Sequence, residues 1–292
     1  MKTLVELRTL IARHSRSGQA STAIPGIWAL ASDVPTEPIH QVYEPIFAVV
    51  AQGVKRTIVG NKILDCGAGA YLVVSVDLPV TAHILRATAA EKFLATGLTL
   101  KPAAIASLLL EMGLNDRSAV EPSGMGVGDA TDDLLEPVVR LLRLLDRPQD
   151  VAVLQPMIER EILWRLFAGE LGSTVRQIGL ADSRLSQINH VVRWIRDHYA
   201  EALRIEDLAQ LAAMSVSSLH RHFRAVTAMS PLQYQKQIRL QEARARLLTD
   251  SEDVAAVGLS VGYGSPSQFS REYCRLFGFP PGRDAARQRS GS

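Results

Sequence analysis

Polar side chains that can contact DNA recur at helical spacing in two stretches near the C-terminus, residues 206–227 and 253–278. Within each stretch, large apolar residues three and four positions apart predict one buried helical face. The Ser, Gln, His and Arg residues between them then face outward, where they can bind base edges and phosphates in a major groove. The predicted buried faces are Val216, Leu219, Phe223 and Val226, and Phe269, Tyr273 and Phe277. The candidate contact residues are Ser217, Ser218, His220, Arg221 and Arg224 in the first stretch, and Ser267, Gln268, Ser270, Arg271 and Arg275 in the second.

Each stretch has two short helical patterns separated by a tight break, which predicts a helix-turn-helix unit. A long helix over residues 231–248 connects the two units and fixes their offset. Ser230-Pro231-Leu232-Gln233 and Ser265-Pro266-Ser267-Gln268 both have the sequence of a capping box with Pro at the first helical position. A further helix, residues 188–199, opens this domain with Ile188 and Ile195 among its inward residues.

Two segments carry a resemblance to a known family: MSVSSLHRHFRAVTAMSPLQYQKQIRLQEARARLL from Met214 and GYGSPSQFSREYCRLFGFPP from Gly262. Both resemble the AraC/XylS family of transcription regulators. The resemblance implies double-stranded DNA and RNA polymerase as partners. It also implies that base edges are contacted by Ser217, His220 and Arg221 in one DNA segment and by Ser267, Ser270 and Arg271 in the next, with Arg224, Gln268 and Arg275 near phosphates or neighbouring bases.

The sequence departs from that family pattern at two places. Gly258 stands where the family usually has Ala, and Gly costs a helix about 1 kcal/mol relative to Ala. We therefore expect the second unit to be the softer one. After Pro281, Asp284-Ala285 replaces the usual Tyr-Arg pair, which questions the last helix and any phosphate contact from it. The tail ARQRSGS is expected to be flexible.

Residues 24–100 are rich in short β-type runs separated by Gly, Asn, Pro and Asp, which predicts a sandwich or small barrel. The runs are 46–51, 54–59, 71–76 and 82–87, with a hairpin turn at Gly60-Asn61 and a Pro stop after the third run. YEPIFAVVAQGVKRTIVG and YLVVSVDLPV resemble the N-terminal sensing domain of an AraC-type subfamily, which implies a cupin-like jelly roll. The Gly-rich segment Pro122–Asp129 is the predicted boundary of this barrel.

The predicted fold class is therefore α+β with two domains. Residues 1–128 contain an N-terminal helix and the cupin-like effector-sensing barrel, and residues 129–183 form a helical linker. Residues 184–292 form an all-α DNA-binding domain with two helix-turn-helix units.

A cupin-like barrel raises the alternative of a metal enzyme or a small-molecule carrier. The predicted barrel holds only His40 and His83, without the His-x-His pair that metal-binding cupins use. His220 and His222 form such a pair, but on a helix their positions point to different faces. No nucleophile signature or phosphate-binding loop occurs. We expect no metal, no cofactor and no catalytic residue, and a largely apolar lumen that suits a small, weakly charged organic effector.

The sequence of the linker predicts two apolar helices, one capped at Thr131 and one over PMIEREILWRLFAGELG. Pro137 is expected to kink the first helix or begin the next, and Glu161 and Arg165 are spaced for an ion pair within the second. These helices either cover the barrel or meet a second subunit, so a homodimer is possible.

Charge and cysteine content support this division. Residues 184–292 hold 15 Lys+Arg and 10 Asp+Glu, a balance of +5, whereas the remaining chain has a balance of −3. A basic C-terminal domain fits nucleic acid. Cys66 and Cys274 cannot form a disulfide framework, which indicates a reducing cytoplasm, and Cys66 is expected to be structural with a pKa raised by Asp65. The N-terminus is an amphipathic helix rather than a signal peptide, and no charge-free stretch is long enough to span a membrane.

The function predicted from these patterns is a cytoplasmic, nucleoid-associated transcription regulator controlled by an organic effector in the barrel. A DNA-binding regulator without an effector is the alternative. The effector's identity, the operator and the sign of regulation are left open.

Overall fold

The computed structural model describes residues 2–15, 21–113, 123–180, 183–249 and 253–290, and it divides the chain into two compact units. The first unit extends to residue 189, and the second contains most residues from 190 onward. The division falls within the helix Arg184–Asp197, shortly after the predicted domain start at residue 184.

The described part of the first unit begins with a helix and continues through nine strands. Helix α1, Lys2–His14, buries Leu7, Leu10 and Ile11, as its periodicity predicts. Pro79 lies inside the seventh strand rather than ending a strand, which corrects the predicted stop. The strands are β1 (Ile27–Ser32), β2 (Ile39–Tyr43), β3 (Ile46–Gln52), β4 (Val54–Val59), β5 (Lys62–Gly67), β6 (Ala70–Val74), β7 (Leu78–Arg86), β8 (Phe93–Thr99) and β9 (Met125–Asp129).

The strands form two antiparallel sheets. One is five-stranded in the order β1-β8-β3-β6-β9, and the other is four-stranded in the order β2-β7-β4-β5. Two packed antiparallel sheets are the architecture of a jelly roll. This sandwich confirms the cupin-like fold predicted for the N-terminal part.

The five-stranded sheet buries both faces, each against a different environment. Side chains alternate across a strand, so Phe47 and Val49 lie on one face of β3 while Ala48 and Val50 lie on the other. The face of Phe47 belongs to a core shared with helices. The face of Ala48 lines a cavity that the second sheet also lines. Burial on both faces explains why β3 has a nearly continuous apolar sequence.

The hairpin predicted at Gly60-Asn61 connects β4 and β5, with Val59 paired to Lys62. Gly60 has a φ of +56°, whereas Asn61 is not among the residues with positive φ. Only the first residue of this two-residue turn therefore uses the left-handed region that both residues tolerate.

The Gly-rich boundary segment is partly a strand. Met125–Asp129 forms β9 and pairs along its whole length with β6, from Val74–Met125 to Ala70–Asp129. The small residues of this segment allow it to pair with β6, because they leave room for neighbouring side chains. A Cβ on Gly128 would lie 2.9 Å from the Tyr71 ring. Pro122, which opens the predicted boundary, lies outside the described residues.

Helices cover the outer face of the five-stranded sheet. They are α2 (Pro102–Glu111), α3 (Asp132–Arg143), α4 (Pro148–Ala168) and α5 (Gly172–Gly179), and their buried residues join those of α1 in one core. Thr131 is the N-cap residue of α3, although its side chain makes no capping bond. Pro137 lies inside α3 and does not begin a new helix. The buried face of α4 contains Ile158, Ile162, Leu163 and Leu166, as predicted.

The ion pair predicted within α4 is wrong. Glu161 pairs with Arg140 of α3, and Arg165 pairs with Asp133 of α3, its Nη1 lying 3.2 Å from Asp133 Oδ2. Both side chains find partners on the packed neighbouring helix instead of each other. The linker helices are thus attached to each other by ion pairs and to the sheet by apolar packing.

The second unit consists of helices in its described part. They are α6 (Arg184–Asp197), which reaches into it from the first unit, α7 (Ile205–Leu211), α8 (Val216–Thr227), α9 (Pro231–Thr249), α10 (Val254–Ser260), α11 (Pro266–Phe277) and α12 (Pro281–Ser290). Within the described ranges, no helix of either unit is long and apolar enough to cross a membrane.

Candidate functional site

The first helix-turn-helix unit consists of α7 and α8. Ser215 precedes α8, and its Oγ accepts a hydrogen bond from Ser218 N at 3.3 Å, which caps the helix. The turn contains Ala213 at a φ of +51°, a left-handed conformation that non-glycine residues rarely adopt. The sequence analysis missed this cap, although a Ser directly before an apolar periodic run is its usual signal.

Helix α8 presents its polar residues as predicted. Leu219, Phe223 and Val226 are buried, but Val216 is 41% exposed, so it does not belong to the buried face. Of the candidates, Ser217, His220, Arg221 and Arg224 are exposed and Ser218 is half-buried. His222 is buried while His220 is exposed, which agrees with the prediction that the two histidines face different ways.

The second helix-turn-helix unit consists of helices α10 and α11. Asp253 caps α10, its carboxylate accepting from Ala255 N and Ala256 N at 3.0 Å each. In the turn, Gly262 has a φ of +95° and stands where Ala213 stands in the first unit. Substitution by Ala would clash with the backbone carbonyl of Ala200. Both turns therefore depend on one left-handed residue.

The capping box is present at one of its two predicted positions. Before α9, Ser230 N donates to Gln233 Oε1 at 2.9 Å and Gln233 N donates to Ser230 Oγ at 3.2 Å. Before α11, Ser265 is the N-cap residue with Pro266 following, but it makes no side-chain capping bond. Gln268 instead points along the helix to Glu272, 3.5 Å away.

Helix α11 repeats the surface of α8 at an offset of fifty residues in the sequence. Phe269 and Tyr273 are buried where α8 buries Leu219 and Phe223. The position of Arg224 is occupied by Cys274, which the sequence analysis did not assign to this face and which is half-buried. Of the candidates, Ser267, Gln268, Arg271 and Arg275 are exposed and Ser270 is half-buried.

The four candidate arginines lie apart from the carboxylates that the structure describes. Among the described residues, no acidic oxygen forms an ion pair with Arg221, Arg224, Arg271 or Arg275, whereas Arg244 and Arg246 are paired. Arg221 Nη2 lies 3.2 Å from His222 Nε2, and Arg271 Nε lies 3.4 Å from Ser267 O. Helices α8 and α11 thus each expose two guanidinium groups that can bind an external anion or a guanine base.

Side chains of helix α9 connect the turn of the second helix-turn-helix unit to the segment that follows α6. Arg239 donates to three backbone carbonyl oxygens, those of Tyr199 at 2.6 Å, Glu201 at 2.8 Å and Gly262 at 2.9 Å. Gln235 also donates to Tyr199 O and Glu201 O, at 3.1 and 2.8 Å. These bonds satisfy carbonyls at the end of α6 and in the turn, so they fix the base of α11.

The last helix is formed despite the departure from the family pattern. The Asp284 carboxylate is fully buried and accepts hydrogen bonds from Arg244 Nε at 2.8 Å and Tyr273 Oη at 2.9 Å. Asp284 therefore attaches α12 to α9 and α11, so the last helix forms without the usual Tyr-Arg pair. Helix α12 continues through the first part of the expected flexible tail to Ser290, and residues 291–292 lie outside the described range.

Packing against Phe269 explains why a Gly stands at position 258, where the family usually has Ala. Gly258 is buried, and a Cβ at this position would lie 2.8 Å from Phe269 Cδ1. The Phe269 ring occupies the space that an Ala methyl group would need. The lower helix propensity of Gly is thus balanced by closer packing between α10 and α11.

A cavity of about 580 Å³ lies between the two sheets of the first unit. The five-stranded sheet contributes Trp28, Ala48 and Leu72, which sit on one cross-strand row with Gly97. A Cβ on Gly97 would lie 2.6 Å from Trp28 Cζ2, so the glycine makes room for the indole. Further apolar lining residues are Leu30, Ile39, Ile46, Val50, Ile84, Phe93 and Ala95.

The four-stranded sheet contributes Lys55, Gln41 and Thr57 to the polar lining of the cavity, which also includes Ser32, Asp33 and Thr36. Lys55 pairs in register with Cys66 and Ile84, and these residues lie on the face that includes buried Thr57. Lys55 Nζ is 5.5 Å from the centroid of the Tyr43 ring. Lys55 therefore faces the cavity, on the same side of β4 as the buried Thr57 and Val59.

By strand alternation the two barrel histidines lie on the opposite face of this sheet, although His83 also borders the cavity. His83 shares its cross-strand position with Arg56, and Thr81 Oγ1 lies 2.9 Å from His40 Nδ1. Arg56 in turn makes two hydrogen bonds of 2.7 Å to Asp65. No cluster of potential metal ligands occurs among the described residues.

Cys66 is buried, and burial raises its pKa to about 12, with Lys55 acting in the lowering direction. The predicted cause, the adjacent Asp65, is wrong, because that carboxylate points away from the cavity and pairs with Arg56.

Comparison with known proteins agrees with an N-terminal domain followed by a helix-turn-helix domain. The model for the AraC-type transcriptional regulator N-terminus matches residues 23–174, and a helix-turn-helix domain model matches residues 208–287. The HTH-type transcriptional activator RhaS of Escherichia fergusonii is 32% identical over 161 residues, 53% of this chain and 57% of that protein. RhaS of Salmonella arizonae is 29% identical over 159 residues, with 53% and 57% covered. The chain thus spans little more than half the length of the curated relatives it matches.

Among solved structures, wild-type ToxT of Vibrio cholerae bound to an unsaturated fatty acid has a TM-score of 0.55 at 9% identity, covering 90% of this chain and 95% of that chain. That likeness shows a shared fold. Because a family model matches just over half of its residues, the chain belongs to the AraC family of transcription regulators.

Proposed function

We propose that this protein is a sequence-specific DNA-binding transcription regulator whose recognition helices, α8 and α11, enter adjacent major-groove segments of one duplex. The observation that carries the proposal is that Arg221 and Arg271 are exposed at equivalent positions of the two helices and that, among the described residues, neither forms an ion pair with a carboxylate. Ser217, His220, Ser267 and Ser270 lie on the same faces and contact bases in this proposal. Ser218, Arg224, Gln268 and Arg275 contact phosphates or neighbouring bases.

Selection of binding sequences from a random DNA pool tests this function with the full chain. We expect enrichment of a site with two recognised segments about 34 Å apart, one helical turn. A pool that shows no enrichment, or a single recognised segment, contradicts the two-helix arrangement. Action on such sites places the protein at the nucleoid in the bacterial cytoplasm, where RNA polymerase is its expected partner.

The second part of the proposal is that the cavity between the sheets holds an organic effector. It is supported by the cavity's apolar walls and by its volume of about 580 Å³, which is in the range of small-molecule sites. ToxT, which shares the fold, has been solved with an unsaturated fatty acid bound. A ligand present at one hundred times its Kd is expected to stabilise the protein by about 2.7 kcal/mol.

The proposal assigns no catalytic residue, metal or cofactor to the chain. The relatives it matches are transcription regulators, and the barrel histidines that could support a metal enzyme lie on the outer face of their sheet. Stoichiometric metal in the purified protein, held by barrel residues, would instead favour the enzyme alternative.

We also propose that α4 contributes to a homodimer. One side of this helix exposes Val153 at 67%, Met157 at 63% and Trp164 at 42%, at spacings that place them on one stripe, while its opposite side is buried in the core. Sedimentation of Met157→Lys tests this contact, with Val5→Lys on α1 as a control because Val5 is also exposed. A dimer that persists in Met157→Lys would exclude this stripe as the interface.

A further inference from the structure

We propose that the ligand of the cavity is a monocarboxylic acid with an apolar body, and that Lys55 binds its carboxylate. This inference rests on the proposed function of the cavity as an effector site and names the chemical class of the effector.

The charge pattern of the four-stranded sheet supports an anion. On its outer face, Arg56 is matched by Asp65 through two hydrogen bonds of 2.7 Å. On its inner face, Lys55 is half-buried, and none of the described acidic residues forms an ion pair with it. The sheet thus pairs its outward cation and leaves its inward cation without a counter-ion.

The described residues around Lys55 do not supply a counter-charge. Cys66 lies opposite Lys55 in the strand register, but burial raises its pKa to about 12, so the thiol stays neutral. Asp33, the acidic residue that contributes to the cavity lining, is exposed just after β1 ends and forms no ion pair with Lys55. An ammonium group in an apolar cavity is stabilised when a ligand brings a carboxylate to it.

The groups nearest to Lys55 also suit a carboxylate rather than a larger anion. The Tyr43 ring, 5.5 Å from Lys55 Nζ, places a flat aromatic wall beside the ammonium. Gln41 and Thr57 line the same cavity and provide amide and hydroxyl donors. One ammonium with neutral donors matches a single negative charge, whereas phosphate esters are usually bound by several cations or backbone amides.

The wall of the cavity opposite Lys55 favours a ligand with an apolar body. It is formed by residues that have no charged group, among them Trp28, Leu72 and Phe93, and the Trp28 indole lies against Gly97. A polar molecule such as a free sugar would lose hydrogen bonds to water against this wall without replacement. An aliphatic or aryl-aliphatic chain gains by its burial there.

Calorimetric titration of the full chain with matched pairs of probes tests the inference. The probes are decanoate and 1-decanol, and 4-phenylbutyrate and 4-phenyl-1-butanol. We expect each acid to bind more tightly than its alcohol. Lys55→Met should weaken acid binding by about 10- to 100-fold, the usual effect of a hydrogen bond to a charged group, and should leave alcohol binding nearly unchanged. Arg56→Met, which removes the neighbouring outward cation, is the matched control and should bind the acids like the wild type.

The outcomes separate the two proposals. If acids and alcohols bind equally well, or if Lys55→Met binds the acids as tightly as the wild type, the carboxylate assignment is wrong while the cavity remains a ligand site. If neither acids nor alcohols bind the folded protein, both the ligand class and the effector role of the cavity are contradicted. Binding that is lost equally in Lys55→Met and Arg56→Met also overturns the specific role of Lys55.

Discussion

Arg244 Nε lies 2.8 Å from Asp284 Oδ2, and the Asp284 carboxylate is entirely enclosed by protein. Tyr273 Oη donates to the same oxygen at 2.9 Å, so one acidic residue joins α9, α11 and α12. Burial and the neighbouring Asp284 charge raise the pKa of Tyr273, which keeps its hydroxyl protonated as a donor. The second helix-turn-helix unit is therefore stabilised by a buried polar contact as well as by its apolar core.

Removing one partner of this contact should destabilise the protein strongly. Asp284→Ala leaves the Arg244 guanidinium without its buried counter-ion, and such losses cost about 3–5 kcal/mol. Chemical denaturation monitored by circular dichroism measures the change. Asp207→Ala is the control, because Asp207 is exposed and lies 3.9 Å from Arg204 at the surface, where ion pairs contribute about 0–1 kcal/mol. Equal stability of the two variants would contradict the role of Asp284.

Gly258→Ala should destabilise the second helix-turn-helix unit although Ala is the better helix former. The gain in propensity is about 1 kcal/mol, whereas forcing a methyl group into an occupied core costs about 1–3 kcal/mol. The added Cβ would lie 2.8 Å from Phe269 Cδ1, so Phe269→Leu in the same chain should recover part of the loss. Thermal unfolding of both single variants and the double variant gives the coupling. A Gly258→Ala protein that is more stable than the wild type would show that Phe269 can move.

The two cysteines should differ in reactivity. With a pKa of about 12, Cys66 is thiolate in only about one molecule in ten thousand at pH 8, and it is buried. Maleimide should therefore label Cys274 first, and bound operator DNA should slow that labelling because Cys274 lies on the face of α11 that we propose enters the groove. Cys66→Ser should retain promoter response, as expected of a structural residue. Rapid labelling of Cys66 in the folded protein, or no protection of Cys274 by DNA, would count against these assignments.

Protonation of Glu272 at low pH should lower the stability of the second helix-turn-helix unit. Burial opposes its ionisation, but hydrogen bonds from Lys236 and Tyr263 outweigh that effect and lower its pKa. The lowered pKa means that Glu272 stabilises the fold above the pKa of the unfolded chain and that this contribution is lost as pH falls through the folded value. The stability difference between wild type and Glu272→Gln should therefore shrink between pH 6 and pH 3. A difference that stays constant over this range would show that Glu272 is not responsible.

The recognition helices were predictable from the sequence because local periodicity alone decides which side of α8 and α11 is buried. Phe223 and Tyr273 follow Leu219 and Phe269 by one helical turn, and that spacing leaves the arginines outside. The jelly roll was predictable in its type, since alternating apolar runs and turn residues indicate antiparallel strands. Its helices α2 and α5 were not identified.

Tertiary partners account for most of the wrong predictions. Glu161 and Arg165 have the spacing of a helical ion pair, but α3 offers Arg140 and Asp133 at closer positions. The sequence left the last helix in doubt because Arg244 and Tyr273, the partners of Asp284, are not its neighbours along the chain. The inward direction of Lys55 depends on strand register, which a single sequence leaves open.

Arg221→Ala and Arg271→Ala test the central claim most directly. An Arg that binds guanine bidentately contributes about 1–3 kcal/mol of discrimination, so each variant should relax preference in one segment of the selected site. Arg224→Ala should instead weaken binding to all sequences and reduce the salt slope by about one unit, and Arg193→Ala, an exposed arginine on α6, is the control. The measurement is affinity for the selected site and for random DNA across a salt series. We expect the ratio of the two affinities to fall in both Arg221→Ala and Arg271→Ala. If both variants keep the wild-type ratio, these helices do not read the DNA sequence.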